Sequence, residues 1–290
     1  MQTFVPWPDA AESARSLDQA RLGKQRVEAL QVLRAITLPT YGWQSHPAIA
    51  MWRGYRPALT AYSLAVTDEW IAQGHADTVR PQIAEFAPGV EAGTAGLDLP
   101  AWWGDEAVHL SHRSKLVQKD PEHYRGVFPG TPEDLDYAWP PADPAAPRPT
   151  DDTALAGEHA WVVRAPSAVA REGWLASGVV TVGESSPRGR AGTAWQRQLE
   201  AFGSLPVGAD LLVPAADGVT FVRGVVTSPI VAALDDDRAP VLLRHVDLGG
   251  ELARSALPDP AMAQDPRTVF PLGLAADLYD DGGQRARPGR

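Results

Sequence analysis

The chain is divided in two by residues 139–152, which read Trp-Pro-Pro-Ala-Asp-Pro-Ala-Ala-Pro-Arg-Pro-Thr-Asp-Asp. Five of these residues are proline and no apolar period runs through them, which is typical of an extended, semi-rigid linker. At ~3.1 Å per residue the segment would reach roughly 40 Å. We therefore predict a first domain over residues 1–140, a linker over 141–153, a second domain over 154–278 and a disordered Gly/Arg-rich tail over 279–290.

The half before the linker has a helical period. Its apolar residues recur at near-helical spacing in a helix that is capped near Asp18 and runs to about Ile36. Further helices are predicted over residues 57–73 and 104–117. No alternating strand pattern occurs before residue 140, so this domain is predicted to be all-α.

The half after the linker changes to strand patterning. Its short β-branched runs are separated by Gly, Pro and Asp, as in a small β-barrel. The runs cover residues 161–164, 178–182, 210–214, 220–226 and 241–246, and a short helix is predicted between strands over residues 195–202. The predicted fold class is therefore α+β, with a helical N-terminal domain joined to a β-rich C-terminal domain.

The bulk composition narrows the class of protein. With 290 residues, of which 44% are hydrophobic and 21% charged, the chain is long enough for two globular domains with their own cores. It contains no cysteine, which excludes a thiolate nucleophile, a disulfide framework, a zinc finger and an iron–sulfur cluster. No signal peptide and no apolar stretch of membrane-spanning length is recognisable, so we expect a cytoplasmic protein without a membrane partner.

The net charge is −10, yet the basic residues are concentrated in two segments. Residues 21–34 contain four basic residues and one acidic residue, and residues 109–125 contain four basic residues, two acidic residues and three histidines. All three lysines of the chain lie in these segments. Local basic surfaces of this kind can attract DNA phosphates while the acidic remainder repels DNA from other faces. The alternative is two solvated helix faces.

One face of the first long helix carries a carboxylate among basic residues. Arg21, then Lys24 or Gln25, and then Glu28 recur at helical spacing and so share a face. A carboxylate held ionised by basic neighbours can stabilise a developing cation or accept a proton. The alternative is an ordinary surface ion pair between Lys24 and Glu28.

Three motifs of the first domain occur in a recognisable order. Residues 17–30 read Leu-Asp-Gln-Ala-Arg-Leu-Gly-Lys-Gln-Arg-Val-Glu-Ala-Leu, and residues 42–47 read Gly-Trp-Gln-Ser-His-Pro. Residues 111–124 read Ser-His-Arg-Ser-Lys-Leu-Val-Gln-Lys-Asp-Pro-Glu-His-Tyr. The first resembles the catalytic helix of the endonuclease V-type pyrimidine-dimer glycosylases, and the other two resemble a Gly-aromatic-x-x-His-Pro turn and a Lys-Asp-Pro-x-x-Tyr ending in that family's cellular members. Together they cover most of residues 1–130.

The resemblance implies glycosylase/lyase chemistry. In that family the α-amino group of the chain attacks the sugar C1′, expels the base and leaves a Schiff base, and a glutamate at the position of Glu28 supports the sugar cation and later proton transfers. An α-amino group has a pKa of about 7.7–8.0, against about 10.4 for lysine, so more of it is unprotonated at neutral pH. The implied catalytic groups are Glu28 and the α-amine of Met1.

Position 2 departs from the family pattern. The phage enzyme exposes a small second residue after removal of methionine, whereas Gln2 is bulky and is expected to leave Met1 in place. Two alternatives follow: the amine of Met1 is the nucleophile, or the lyase step is absent and a water molecule attacks C1′.

The basic and polar residues of the three motifs are our predicted DNA contacts. They are Arg21, Lys24, Gln25, Arg26, His46, His112, Arg113, Lys115, Lys119 and Tyr124. Four tryptophans of this domain are expected to be mostly core, although one or two could wedge between bases or stack on them, as base-flipping chemistry requires. They are Trp43, Trp52, Trp102 and Trp103.

A metal hydrolase is the rival interpretation of the histidines. His109 and His112 share a helix face and Glu106 lies near them, as in some metal sites. The spacing is loose and no motif defines a third ligand, so we predict neither a metal nor another cofactor.

The second domain has a resemblance of its own. Residues 159–165 and 178–183, followed by runs at 244–257 and 268–270, resemble the strands of EVE/PUA-like modified-base readers, so the implied fold is a PUA/EVE-like barrel. That resemblance implies a pocket with aromatic walls for a flipped, modified base. The local candidates are Trp161, Arg164, Trp174 and Trp195. Glu184 stands where that family usually has an aromatic residue, which indicates an altered pocket.

The sequence thus predicts a DNA glycosylase with AP-lyase activity as an option, acting in base excision during DNA repair or anti-phage defence. The expected partner is double-stranded DNA with damaged or modified bases. A non-catalytic reader of modified nucleic acid is the alternative, and an RNA-directed enzyme is the third hypothesis.

Overall fold

The computed structural model describes residues 2–93, 96–146, 148–150, 158–186 and 192–275. The chain forms two compact units, Met1–Thr150 and Asp151–Arg290, called here the N-terminal and C-terminal units. Helices make up the first and a β-sheet dominates the second, which confirms the α+β class. The tail predicted at 279–290 and linker residues 147 and 151–153 lie outside the described residues.

Helices build the N-terminal unit. They are α1 (Ala10–Arg15), α2 (Gln19–Thr37), α3 (Pro47–Ala50), α4 (Arg56–Ala72), α5 (Arg80–Ala84), α6 (Pro88–Glu91), α7 (Glu106–Lys119) and α8 (Pro121–Val127). The three long helices predicted from the sequence are confirmed as α2, α4 and α7. The other five were missed because four to seven residues carry too little periodicity to be recognised.

Helix α2 begins where its capping residue predicts. The side chain of Asp18 accepts a hydrogen bond from the backbone N–H of Arg21 at 3.0 Å, which satisfies one of the donors left free at a helix start. The buried face of α2 packs on α4, and Gly23 makes the close approach possible, because a Cβ there would lie 2.7 Å from the ring of Trp70. Within the described ranges, no helix is long and apolar enough to cross a membrane.

The chain after α8 packs back on the N-terminal unit. Lys115 Nζ lies 2.9 Å from the carboxylate of Asp136. Further on, Arg148 donates to Ser45 Oγ at 3.0 Å, and a Cβ on Gly54 would lie 2.9 Å from Cβ of Ala146. Two residues of the predicted extended, semi-rigid linker, Ala146 and Arg148, thus contact the N-terminal unit, and the bounds of the linker stay a prediction.

The C-terminal unit is a seven-stranded sheet with two helices. Its elements are β1 (His159–Val163), α9 (Ala168–Ser177), β2 (Val179–Gly183), α10 (Thr193–Ser204), β3 (Asp210–Pro214), β4 (Thr220–Val226), β5 (Val231–Leu234), β6 (Pro240–Ala253) and β7 (Val269–Gly273), with short 3-10 helices at Arg254–Ala256 and Pro260–Gln264. The strand order is β2-β6-β4-β3-β1-β7, with β5 beside β6. Only β1 and β3 are parallel among the described strand pairs. No described pairing joins β2 to β7, so the sheet is a curled half-barrel, and the PUA/EVE-like identity of this unit stays a prediction.

Candidate active site

An extended segment, residues 2–8, enters the helical bundle and is held there by side chains. Gln25 on α2 forms two of these bonds: its Oε1 accepts from the Phe4 N–H at 2.9 Å and its Nε2 donates to the Gln2 carbonyl at 2.8 Å. Tyr62 on α4 donates to the Phe4 carbonyl at 2.6 Å, and Trp52 donates to Thr3 Oγ1 at 2.9 Å. Each buried backbone group satisfied in this way ties the segment to one position.

Helix α7 holds the same segment from the other side. His109 Nδ1 donates to the Val5 carbonyl at 2.7 Å, and His112 Nδ1 accepts from the Val5 N–H at 3.3 Å. Arg113 donates to the Pro6 carbonyl at 2.7 Å, lies over the ring of Trp7 at 4.7 Å and pairs with Glu106. Both histidines thus bond to the N-terminal segment. Within the described part of the chain, no group of three His, Asp or Glu side chains is arranged to hold a metal ion.

A cavity of about 580 Å³ opens beside the start of this segment. That volume suits a small-molecule or nucleotide-sized group, because ligand sites commonly measure about 300–1,000 Å³. Its walls come from the N-terminal segment, α2, the turn before α3, the end of α7 and the chain after α8. The lining residues are Gln2, Phe4, Ala20, Arg21, Lys24, Glu28, His46, Lys119, Tyr137 and Trp139.

Glu28 is the only carboxylate among these lining residues. Its side chain is 12% exposed, whereas that of Lys24, whose Nζ lies 3.6 Å away, is 73% exposed. The carboxylate of Glu28 is therefore largely shielded from solvent, whereas the ammonium group of Lys24 is exposed to solvent. Burial raises the pKa of Tyr137 to about 12 and the charge of Glu28 adds to the effect, while a hydrogen bond with Gln2 opposes it. The phenol across the cavity thus stays protonated near Glu28.

Arg21 is fixed at the cavity wall by two acids and an aromatic ring. Its guanidinium lies 2.5 Å from Asp18, 3.4 Å from Asp120 and 5.3 Å from the ring centroid of Tyr124. Burial raises the pKa of Asp18, but the hydrogen bonds that it accepts from Tyr124 and Arg21 outweigh burial and hold that pKa below its ordinary value. The Asp18 carboxylate therefore stays ionised and orients Arg21 toward the cavity.

Two further cations line the same cavity. Lys24 and Lys119 extend from α2 and from the last turn of α7, and Lys119 is exposed. His46 caps α3 by accepting the Ala48 N–H at Nδ1 over 3.2 Å, so a neutral ring carries its proton on Nε2. Burial lowers the pKa of His46, while the charge of Glu28 opposes that shift. The walls therefore combine two lysines and Arg21 with one partly buried carboxylate.

Six of the predicted DNA contacts lie elsewhere. Gln25, His112 and Arg113 are buried and hold the N-terminal segment, and Tyr124 is buried against Asp18. Lys115 pairs with Asp136 and lies 5.8 Å from the ring centroid of Tyr137. Arg26 pairs with Asp77 at 2.6 Å and stacks on Trp70 at 4.9 Å. The polar atoms of these six residues have partners inside the unit, which supports a scaffold role for them, while their contact with DNA stays a prediction.

The buried imidazole of His112 predicts a pH-dependent stability. Burial lowers the pKa of His112 from 6.5 to about 3, with the nearby His109 as a lesser cause. Because the folded-state pKa is the lower one, this stabilising contribution is complete above about pH 6.5 and is lost as pH falls from there toward about 3. We expect the Tm of the whole chain to fall over this range, as measured by near-UV circular dichroism.

His112→Asn is the test of that assignment, since asparagine keeps an acceptor for the Val5 N–H and removes the titration. The variant is expected to lose less Tm between about pH 7 and about pH 4 than the unmodified chain. His123→Asn is the matched control, because His123 is an exposed residue of α8. This variant is expected to keep the original dependence of Tm on pH. Equal slopes in all three proteins would refute the role of His112.

The candidate reader residues of the C-terminal unit lie in or against its core in the part of the chain that the structure describes. Trp174 and Trp195 are buried in the core, where Trp174 Nε1 donates to Thr181 Oγ1 at 3.2 Å and Trp195 Nε1 donates to the Glu184 carbonyl at 2.9 Å. Arg164 donates to the carbonyls of Ala263 and Asp265 and lies over the ring of Phe270. Trp161 is half-buried and packs on the same core. These contacts give the four side chains a packing role, and the aromatic base pocket stays a prediction.

Five lining residues were not among the predicted site residues, namely Ala20 of α2 and the four that follow. Gln2 was considered only because its size is expected to keep Met1 in place, and Phe4 was not considered. Tyr137 was assigned to the end of the first domain, and Trp139 to the start of the proline-rich run. The ring centroids of Tyr137 and Trp139 lie 4.9 Å apart, and both rings contact His112. The sequence offered one signal for them, since two aromatic residues, Tyr137 and Trp139, stand directly before the first proline of that run.

Residues 1–80 match the family model described as pyrimidine dimer DNA glycosylase. This region contains the first two motifs, the N-terminal segment and Glu28, and the match confirms the resemblance predicted for the N-terminal unit; the third motif lies beyond it. No curated protein and no solved structure matches the chain. The match supports a DNA glycosylase-type repair function for the N-terminal unit and does not extend to the C-terminal unit.

Proposed function

We propose that the N-terminal unit is a DNA N-glycosylase that holds a damaged or modified nucleotide in the cavity around Glu28. The observation that carries this proposal is the position of one partly buried carboxylate in a cavity whose other charged walls are cations. A deoxynucleotide presents anionic phosphates at its edge and develops positive charge at C1′ as the base leaves. Cations toward the mouth and a carboxylate inside suit that charge distribution.

Glu28 is the proposed catalytic carboxylate. As the C1′–N bond breaks, its electron pair leaves with the base, and the sugar gains oxocarbenium character that an adjacent carboxylate stabilises. The Glu28 side chain is only 12% exposed, which reduces solvent screening. The attraction between its carboxylate and the sugar cation is therefore stronger than it would be at the protein surface. Arg21, Lys24 and Lys119 are proposed to contact phosphates that flank the extruded nucleotide.

The proposed lyase step uses the amine of Met1, which itself lies outside the described residues. The position of the next residue supports this proposal. Gln2 lines the cavity, and a hydrogen bond from Gln25 holds the Gln2 carbonyl in place. The neutral amine adds to C1′ as the C1′–N bond breaks, and one proton of the amine passes to the departing base. The remaining N–H proton then passes to O4′ as the C1′–O4′ bond breaks, so that the sugar ring opens and a Schiff base is left between the amine and C1′.

Base release is tested directly with the whole chain on a panel of duplexes that carry a cyclobutane pyrimidine dimer, a modified cytosine or no lesion. The proposal expects free base, or a dimer with one cleaved glycosidic bond, from at least one lesion duplex and none from plain DNA. Tight binding to modified DNA without base release from any of them would favour the alternative of a non-catalytic reader.

The phosphate contacts predict a specific salt dependence. Arg21→Ala, Lys24→Ala and Lys119→Ala are each expected to weaken binding to all sequences alike and to flatten the slope of log Kd against log salt by about one. Arg26→Ala and Lys115→Ala serve as controls, because neither side chain is among the residues that line the cavity, and they pair instead with Asp77 and Asp136. The measurement is fluorescence anisotropy across a salt series. An unchanged slope in the first three variants would remove the cavity cations from the DNA interface.

A further inference from the structure

Trp43 is the exposed tryptophan of this chain. All ten tryptophans lie in the described ranges, and among them only Trp43 is exposed, with 69% of its surface accessible. A large aromatic side chain left in solvent forgoes substantial hydrophobic burial. We therefore expect the ring of Trp43 to be buried by contact with a binding partner.

The backbone that carries Trp43 is braced in an unusual conformation. Its φ is 68°, in the left-handed region that bulky residues seldom adopt. The Trp43 carbonyl accepts from the His46 N–H at 2.8 Å, and Gln44 Nε2 donates to the Leu38 carbonyl at 3.2 Å. Arg53 donates to the Gln44 carbonyl at 2.6 Å. These bonds hold the backbone of the turn from which the exposed ring of Trp43 projects.

The ring stands next to the cavity. The centroids of Trp43 and His46 lie 6.3 Å apart in an edge-on contact, and His46 lines the cavity. His46 in turn contacts Trp139, a second lining aromatic, with centroids 6.3 Å apart. A continuous row of rings thus runs from solvent at Trp43 to the cavity wall at Trp139.

We propose that Trp43 inserts into the DNA base stack and fills the gap left when the target nucleotide rotates into the cavity. This inference rests on the proposed function and assigns a residue to the extrusion step. An aromatic ring is about as thick as the ~3.4 Å rise between stacked bases, so it can replace one base in the stack. Stacking on the neighbouring bases offsets part of the cost of unpairing the target.

The test uses a duplex that the enzyme cannot cleave. It contains a tetrahydrofuran abasic analogue opposite 2-aminopurine, whose fluorescence rises when the base is unstacked. At protein concentrations that saturate binding by anisotropy, the unmodified chain is expected to raise the fluorescence several-fold. Trp43→Ala should lose most of that rise and Trp43→Phe should retain most of it. Ile71→Ala, which truncates an exposed apolar side chain on α4, is the control and should match the unmodified chain.

A kinetic comparison separates insertion from general damage to the site. Trp43→Ala is expected to slow base release about 10- to 100-fold on a duplex, where extrusion must overcome pairing and stacking, and much less on the same lesion in single-stranded DNA. Equal losses on both substrates, or a full fluorescence rise with Trp43→Ala, would overturn the assignment. A fluorescence rise that depends on Trp43 without base release from any lesion would instead refute the proposed glycosylase while leaving the insertion in place.

Discussion

Glu28→Gln is expected to slow base release by about a thousandfold, because it removes the one carboxylate among the residues that line the cavity, the group proposed to stabilise the developing sugar cation, while keeping the size of the side chain. DNA affinity should stay within a few-fold of the original, since the phosphate-binding cations are untouched. The measurement is single-turnover base release at saturating protein, which isolates chemistry from binding.

Glu69→Gln is the matched control for this variant. Glu69 lies on α4, accepts a hydrogen bond from Gln73 at 2.9 Å and is not among the residues that line the cavity. It should retain the original rate, and both variants should keep the original Tm within a few degrees. Turnover of Glu28→Gln within a few-fold of the unmodified chain would remove Glu28 from the catalytic role.

An extension of several residues before Met1 is expected to abolish covalent capture of DNA. The proposed nucleophile is an α-amine at the end of a segment whose carbonyls and N–H groups are bonded to Gln25, Tyr62 and His112. Because that segment is anchored, added residues would turn the nitrogen of Met1 into a non-nucleophilic amide and place the new α-amine away from C1′. The same extension placed at the C-terminal end is the control and should leave capture intact.

The extension also separates the two nucleophiles that the sequence left open. Loss of both capture and base release indicates that the amine performs the first displacement. Loss of capture with base release retained indicates that water attacks C1′. Capture that survives the extension would place the reactive amine on another residue, with Lys24 and Lys119 as the lysines that line the cavity.

The helices and Glu28 could be predicted from the sequence because their signals are local. The cap at Asp18 and the spacing of Arg21, Lys24 and Glu28 depend on residues within one helix, and the structure keeps Arg21, Lys24 and Glu28 on one cavity wall. The strands of the C-terminal unit were recognisable from β-branched runs for the same reason, whereas the burial of its tryptophans in the core was not. Whether Trp174 faces a pocket or a core depends on the curl of the whole sheet.

The anchoring of the N-terminal segment could not be predicted in this way. His112 bonds to Val5 across a separation of 107 residues, and a basic or imidazole side chain in a sequence looks the same whether it meets a phosphate or a backbone carbonyl. His112 and Arg113 were therefore predicted to contact DNA, yet they bond to the segment that starts beside Glu28. The contact between Ala146 and Gly54 could not be predicted for a related reason, since the composition of the proline-rich run does not show which residues pack against it.

Borohydride trapping tests the central claim most directly. The whole chain, with no added residues before Met1, is mixed with lesion-bearing duplexes in the presence of borohydride, which reduces a Schiff base to a stable amine. We predict a covalent protein–DNA adduct on at least one lesion duplex, with peptide mapping that places the attachment at the amine of Met1. A chain that releases base from the same duplexes but forms no adduct, or one whose adduct maps to a lysine, would contradict the proposed role of the N-terminal segment.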